Sequence, residues 1–150
     1  MKSRPVVLLV EDDPFDLVLM ELAMKEAQFE FEFTVALDGQ QALDWLLRRG
    51  SQAGRGAFVH PVLVLLDLKL PEMNGLEVLR SLRTVPEGRL IPVVVLSTSR
   101  MPSDIAAAYE LGANAFVQKP MEFEKLVELV KALQHFWLAF NVTHPALERA

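Results

Sequence analysis

The sequence contains no cysteine, so it can build neither a disulfide frame nor a thiolate site, and its redox compartment is left open. No apolar run approaches the ~20 residues needed to cross a bilayer. Met1-Lys2-Ser3-Arg4 passes straight into a strand-like segment, without the hydrophobic stretch and small-residue cleavage site of a secretory leader. A soluble cytoplasmic protein that does not enter membranes is therefore expected. Clustered positive charge is also missing. The formal net charge is −5, and the short basic stretches Arg48-Arg49 and Arg55 read as solvated ends of a helix and a loop. This argues against a general affinity for nucleic acid, whose phosphates call for grouped Lys and Arg. No internal repeat or low-complexity segment stands out.

What is present is enough for one domain. The 150 residues, 51% of them hydrophobic, suit a single compact unit with a substantial core and leave no room for a second one. Strand-like and helix-like segments alternate. Val6 to Val10 is continuously apolar, as expected of a strand covered on both faces. Pro14-Phe15-Asp16 opens a helix that carries Leu17, Met20, Leu22, Met24 and Ala27 and ends near Gln28. Glu30 to Ala36 alternates polar residues with Phe31, Phe33 and Val35, the period-two pattern of an edge strand. Asp38-Gly39 caps a helix from Gln40 to Arg49, stopped by Gly50. Ser51 to His60 reads as an extended surface loop. Val62 to Leu66 is a second buried strand, followed by a helix from Leu76 to about Thr84 and a turn at Pro86-Glu87-Gly88. Ile91 to Leu96 forms another buried strand, with Pro92 tolerable at its start. A helix from Ser103-Asp104 to Leu111-Gly112, a short strand at Ala115-Phe116-Val117 and a long helix from about Phe123 complete the pattern. Such alternation predicts an α/β fold: a parallel sheet with helices on both faces and right-handed crossovers.

In sheets of this kind chemistry collects at the carboxyl ends of the strands. Glu11 and Asp12, Asp67, Ser97 and Lys119 all fall at such ends. Carboxylates brought together raise one another's pKa values unless a cation intervenes. Oxygen-only ligands without His or Cys favour a hard ion, and Mg²⁺ fits better than a calcium cage. A magnesium ion beside a free carboxylate and an ammonium suits phosphoryl transfer. The metal and Lys119 would counter charge on the transferred oxygens, Ser97 would donate a hydrogen bond, and Asp67 would be the nucleophile.

These residues resemble the receiver domains of two-component response regulators. The resemblance runs from Val6 to about Leu133. It is carried by Val-Glu-Asp, by Leu-Asp-Leu-Lys-Leu-Pro-Glu-Met-Asn-Gly, by the strand-end Ser97 and by Lys119-Pro120, with thirty residues from Asp67 to Ser97 and twenty-two from Ser97 to Lys119. It implies a flavodoxin-like, doubly wound five-stranded parallel sheet of order 2-1-3-4-5 with five helices, an order for which the chemotaxis receiver is a standard illustration. It also implies Asp12 as a direct metal ligand, Glu11 as a ligand through water, Asp67 as phosphoacceptor and ligand, and the backbone carbonyl of Lys69 as a further ligand. Ser97 becomes the switch hydroxyl and Lys119 the phosphate-binding lysine. Asp13 flanks the site without ligating, and Pro120 resembles the family's cis-proline. Phe116 stands where receivers place an aromatic that changes rotamer; lacking a hydroxyl, it could couple only by packing.

Two features go beyond a minimal receiver: the Gly/Arg-rich loop of residues 51–60, and Phe136-Trp137-Leu138-Ala139-Phe140 at the end of the last helix. Single-domain regulators that accept phosphate from bacterial phytochrome histidine kinases share such features. The implied division is a receiver domain over 1–135 and a helical extension and tail over 136–150, with no separate output domain. The implied role is a signalling module, not an enzyme beyond its own phosphotransfer and slow dephosphorylation. Its partners would be a sensor histidine kinase, a bacteriophytochrome, and a downstream protein target. Trp137 and Phe140, one turn apart, would form an exposed apolar patch and a homodimer contact unless they fold back on their own domain. Two other readings stay open. An aspartate-nucleophile phosphatase would need a second acid where Lys69 stands. A phosphorylation-independent, receiver-like scaffold would not need the intact set Glu11, Asp12, Asp67, Ser97 and Lys119.

Overall fold

A computed structural model describes residues 5–48 and 60–148. Five strands, β1 (Val6–Val10), β2 (Glu32–Ala36), β3 (Leu63–Leu66), β4 (Val93–Ser97) and β5 (Ala115–Gln118), alternate with helices α1 (Pro14–Glu26), α2 (Gly39–Leu47), α3 (Gly75–Arg83), α4 (Pro102–Glu110) and α5 (Phe123–Leu133). All neighbouring strands pair in parallel, in the order β2-β1-β3-β4-β5. This is the flavodoxin-like order that the resemblance implied.

The continuous apolar strands are explained by the layers on each side. Leu8, Val10, Val64, Leu66, Val93 and Val95 face a core closed by α2, α3 and Ala108 of α4. Val7, Leu9, Leu63, Leu65, Val94 and Leu96 face a second core closed by α1 and α5. Successive residues of one strand serve opposite cores, so every position must be apolar.

Element boundaries depart from expectation where side chains compete with the ladder. β2 starts at Glu32, because Phe29 and Phe31 pack edge to face at 5.8 Å and the Glu30 amide donates to Gln134 Oε1 at 3.0 Å. α2 ends at Leu47, with Arg48 in the left-handed region (φ 54°), while Arg49, Gly50 and all of the 51–60 loop except His60 lie outside the described residues. β4 starts at Val93, two residues late. The Ile91 carbonyl accepts from the Arg83 guanidinium at 2.7 Å, which also reaches the carbonyls of Gly88 (2.5 Å) and Gly112 (2.8 Å) and the Asn114 side chain (3.2 Å). Partial burial pulls the Arg83 pKa down, yet a guanidinium keeps its proton, so this half-buried charge ties α3 to the starts of β4 and β5.

The end of the chain holds the largest surprise. α5 continues from Gln134 to Phe140 with wider, π-type turns, ending where the Asn141 amide donates to Phe136 O at 2.7 Å. A short 3-10 turn (Pro145–Glu148) then inserts Leu147, 5% exposed, into the core on the α2/α3 side, opposite the layer that α5 occupies. The tail therefore crosses from one layer to the other.

One glycine positions the site directly. A Cβ on Gly75 would lie 2.3 Å from the Asp67 carbonyl oxygen and 2.8 Å from Leu68 Cα, and its amide donates to Leu68 O at 2.9 Å. The start of α3 is thus pressed against the backbone that carries Asp67. Gly75→Ala must push these backbones apart, and a loss of about 2–3 kcal/mol of unfolding free energy is expected in urea titrations.

Candidate functional site

Each charged residue at the carboxyl edge is fixed by its backbone to the neighbouring strand. The Glu11 amide donates to Ala36 O (3.0 Å), the Asp67 amide to Val10 O (3.1 Å) and the Lys119 amide to Ser97 O (2.9 Å). The ladder hydrogen bonds thus run one residue past the strands and hold the functional residues in register.

The side chains then converge. Lys119 Nζ donates to Glu11 Oε1, to Asp67 Oδ2 at 2.9 Å and to Asp16 Oδ2 at 3.2 Å. Asp67 Oδ1 accepts from the Lys69 amide at 3.1 Å, and Glu11 Oε2 accepts from the amides of Asp12 (3.0 Å) and Asp13 (3.3 Å). Asp13 itself caps α1, accepting from Phe15 N at 2.8 Å and Asp16 N at 3.3 Å. Asp16, which the motif did not single out, joins the site from the first turn of α1, where Lys119 reaches it. The pocket has a polar mouth of Glu11, Asp16, Asp67 and Lys119 over a floor that includes Leu9 and Leu65.

Electrostatics follow from burial. Desolvation of the Glu11 carboxyl, reinforced by the nearby Asp67 charge, outweighs its hydrogen bond from Lys119 and pushes its pKa up to about 7. Burial alone would lower the Lys119 ammonium, but hydrogen bonds to Glu11 and Asp67 reverse this and move its pKa up. The cation therefore keeps its proton, while Glu11 beside it titrates near neutrality.

The other expected residues are placed as follows. Ser97 is fully buried at the end of β4, and its Oγ accepts from the Ser99 amide at 3.1 Å. Phe116 lies opposite Val95, half-buried against the α2/α3-side core, and its amide donates to Tyr109 Oη at 3.2 Å. The Lys119–Pro120 bond is trans, contrary to the cis-proline expectation, and from that geometry the ammonium already reaches Glu11 and Asp67. The Lys69 side chain is exposed. Trp137 is half-buried, packed against the α1/α5-side core and edge to face with Phe136 at 4.9 Å, so it has largely folded back on its own domain. Phe140 remains 65% exposed.

Glu11, Asp12 and Asp67 each offer an oxygen, all within 4.8 Å of one another, with Asp12 exposed and the other two buried. Three carboxylates so close, with oxygen donors only, fit a hard divalent cation reached from the solvent side of Asp12. The sequence motifs reappear here as one constellation, and comparison with known proteins gives it a family: residues 7–131 match the response regulator receiver domain. The chain belongs to that family.

Its relatives are consistent with this assignment. Response regulator Rcp1 of Synechocystis sp. is 37% identical over 147 residues, covering 97% of both chains. A structure of the Mn²⁺-bound form of Rcp1 superposes with a TM-score of 0.82 at 34% identity, over 93% of this chain and 99% of that one. The phosphorylated cyanobacterial phytochrome response regulator RcpA gives 0.84 at 34% identity (94% and 99%). The bacteriophytochrome response regulator AtBRR gives 0.74 at 44% identity (93% and 99%). Receiver domains are signalling modules rather than classical enzymes. Among the described residues no helix is long and apolar enough to cross a membrane.

The Glu11 pKa has a consequence for this receiver's stability. The folded carboxyl holds its proton to about pH 7, whereas the unfolded one gives it up near 4.5. Between those values the folded state binds more protons, so the contribution of Glu11 to stability falls as pH rises. Without divalent metal, Glu11→Gln is expected to stabilise the protein by about 1–2 kcal/mol at pH 8 and by progressively less toward pH 5, as read from urea midpoints across that range.

Proposed function

We propose that the chain is a single-domain response regulator that accepts a phosphoryl group on Asp67 from the phosphohistidine of a sensor histidine kinase. The observation that carries this reading is the placement of the buried Asp67 carboxylate. One of its oxygens lies 2.9 Å from the Lys119 ammonium, and it shares a tight oxygen cluster with Glu11 and Asp12. An Asp67 oxygen attacks phosphorus, the O–P bond forms as the P–N bond breaks, and the electron pair returns to the imidazole. Lys119 neutralises charge on the transferred oxygens, and the Lys69 amide holds the other Asp67 oxygen so that the attacking lone pair is aimed.

Mg²⁺ is the proposed ion, held by Asp12, Asp67 and the Lys69 carbonyl, with Glu11 acting through water. When bound it supplies charge neutralisation between acceptor and phosphoryl oxygens. Ser97 is the proposed switch hydroxyl. Its Oγ now accepts from Ser99 N, and turning toward a phosphoryl oxygen would break that bond and free space beside the Phe116 strand. The phytochrome character of the relatives supports a bacteriophytochrome as the kinase. Receiver 1–135 and extension 136–150 are proposed to act as one signalling unit toward a downstream protein. A homodimer contact would rest mainly on Phe140, with Trp137 contributing only its outer edge. The exposed Lys69 side chain offers no acid for a leaving group, which disfavours the phosphatase reading.

Incubation with acetyl phosphate and Mg²⁺, read on phosphate-affinity gels, is expected to label the wild type and to leave Asp67→Asn below about 1% of that level, because the nucleophile is gone. Equal labelling of the variant would overturn the acceptor assignment. Lys119→Ala is expected to remain folded at pH 7, since Glu11 can take up a proton in place of its lost partner, yet to show no beryllofluoride-induced change in its NMR spectrum. Sedimentation is expected to show a dimer whose dissociation constant rises about tenfold or more in Phe140→Ser, as loss of a buried aromatic anchor implies.

A further inference from the structure

We propose that Asp16 is the exchangeable counter-ion of Lys119: it competes with a phosphoryl group on Asp67 for the ammonium and so limits how far the phosphorylated state is populated. This rests on Asp67 being the acceptor.

An ammonium has three N–H donors. Lys119 directs them to three carboxylates, Glu11, Asp16 and Asp67, so a phosphoryl oxygen can be served only when one partner lets go. The three are not equivalent. Glu11 and Asp67 are buried, so water has little access to replace the ammonium at either. The Asp16 side chain is 38% exposed and makes the longest contact, 3.2 Å, so water can replace the ammonium there. Asp16 is the partner that yields.

Yielding is not free. Among the described residues Asp16 stands outside the cluster of Glu11, Asp12 and Asp67 whose oxygens lie within 4.8 Å of one another, so a cation held by that cluster does not take over its charge. The Asp16 backbone is fixed at the pocket mouth, in the first turn of α1 with the amide held by the Asp13 cap at 3.3 Å, so only side-chain rotation can move the carboxylate. After the ammonium transfers, the Asp16 carboxylate remains at the pocket mouth facing a new dianionic group. In the unmodified state the same carboxylate helps keep Lys119 engaged. Its net effect is to favour the unmodified state.

Calorimetric titration of the full chain with Mg²⁺ alone, and then with beryllofluoride in saturating Mg²⁺, tests this in wild type, Asp16→Asn and Asp16→Glu. Asp16→Asn keeps the shape and removes the charge. It is expected to bind beryllofluoride about three- to fivefold more tightly than wild type, the scale of a half-exposed ion pair, with Mg²⁺ affinity within about twofold. Asp16→Glu is expected to return to wild-type affinity. The gain is expected to persist in about 0.5 M KCl, where charges more than roughly 4 Å apart are screened but a direct contact is not. A damaged fold would weaken binding, so a gain cannot come from misfolding. Unchanged or weaker beryllofluoride binding in Asp16→Asn overturns the proposal, as does a gain that disappears in salt, which would mark a general field rather than competition for one ammonium. Failure of the wild type to bind beryllofluoride overturns the acceptor reading itself and this proposal with it.

Discussion

The ammonium of Lys119 is the interaction on which the carboxyl edge of this protein depends. Three strands deliver their ends to one point, and two of them deliver buried acids. Two carboxylates in that position repel, and burial beside Asp67 drives Glu11 toward its neutral form. A single cation from the third strand makes the arrangement tolerable, and in the absence of metal part of the strain is relieved by Glu11 keeping its proton to about pH 7. The site is therefore a charge balance that is nearly complete before any ligand arrives, and small ligands can tip it.

The parallel sheet makes that balance reproducible. Because strands β1, β3 and β4 are covered on both faces, their register is locked by two independent cores, and a slip of one residue would exchange the residues facing each core. Ladder hydrogen bonds that extend one residue beyond the strands carry this rigidity into Glu11, Asp67 and Lys119. The packing of Gly75 against the Asp67 carbonyl adds a third constraint from the helix side. Function here rests on residues that have little freedom.

Much of this was legible in the chain. The uninterrupted apolar runs Val6 to Val10, Val62 to Leu66 and Ile91 to Leu96 announce strands buried on both sides, and the polar residues after each announce the edge where chemistry collects. Strand order was not contained in periodicity and came from family resemblance. The misplaced starts of β2 and β4 have a common origin: tertiary partners, Gln134 and Arg83, claim backbone groups that a local reading assigns to a ladder. Asp16 escaped notice because a lone acid in a helix's first turn usually faces water, and nothing local says that a lysine over one hundred residues later will reach it. Trp137 was read as half of an exposed patch unless it folded back; it stands four residues after the buried Leu133 and seven after Val130, so the stripe that α5 buries reaches it, while Phe140 stays exposed.

Leu147 adds something that the family pattern would not suggest. The receiver match ends at residue 131, yet a side chain sixteen positions later seals the core beneath the opposite layer of helices. The packed unit therefore extends past the segment that the family match covers. Excising the matched segment alone would open a hole in its hydrophobic interior, and a fusion junction placed shortly after it would compete with a packing contact rather than extend an inert end.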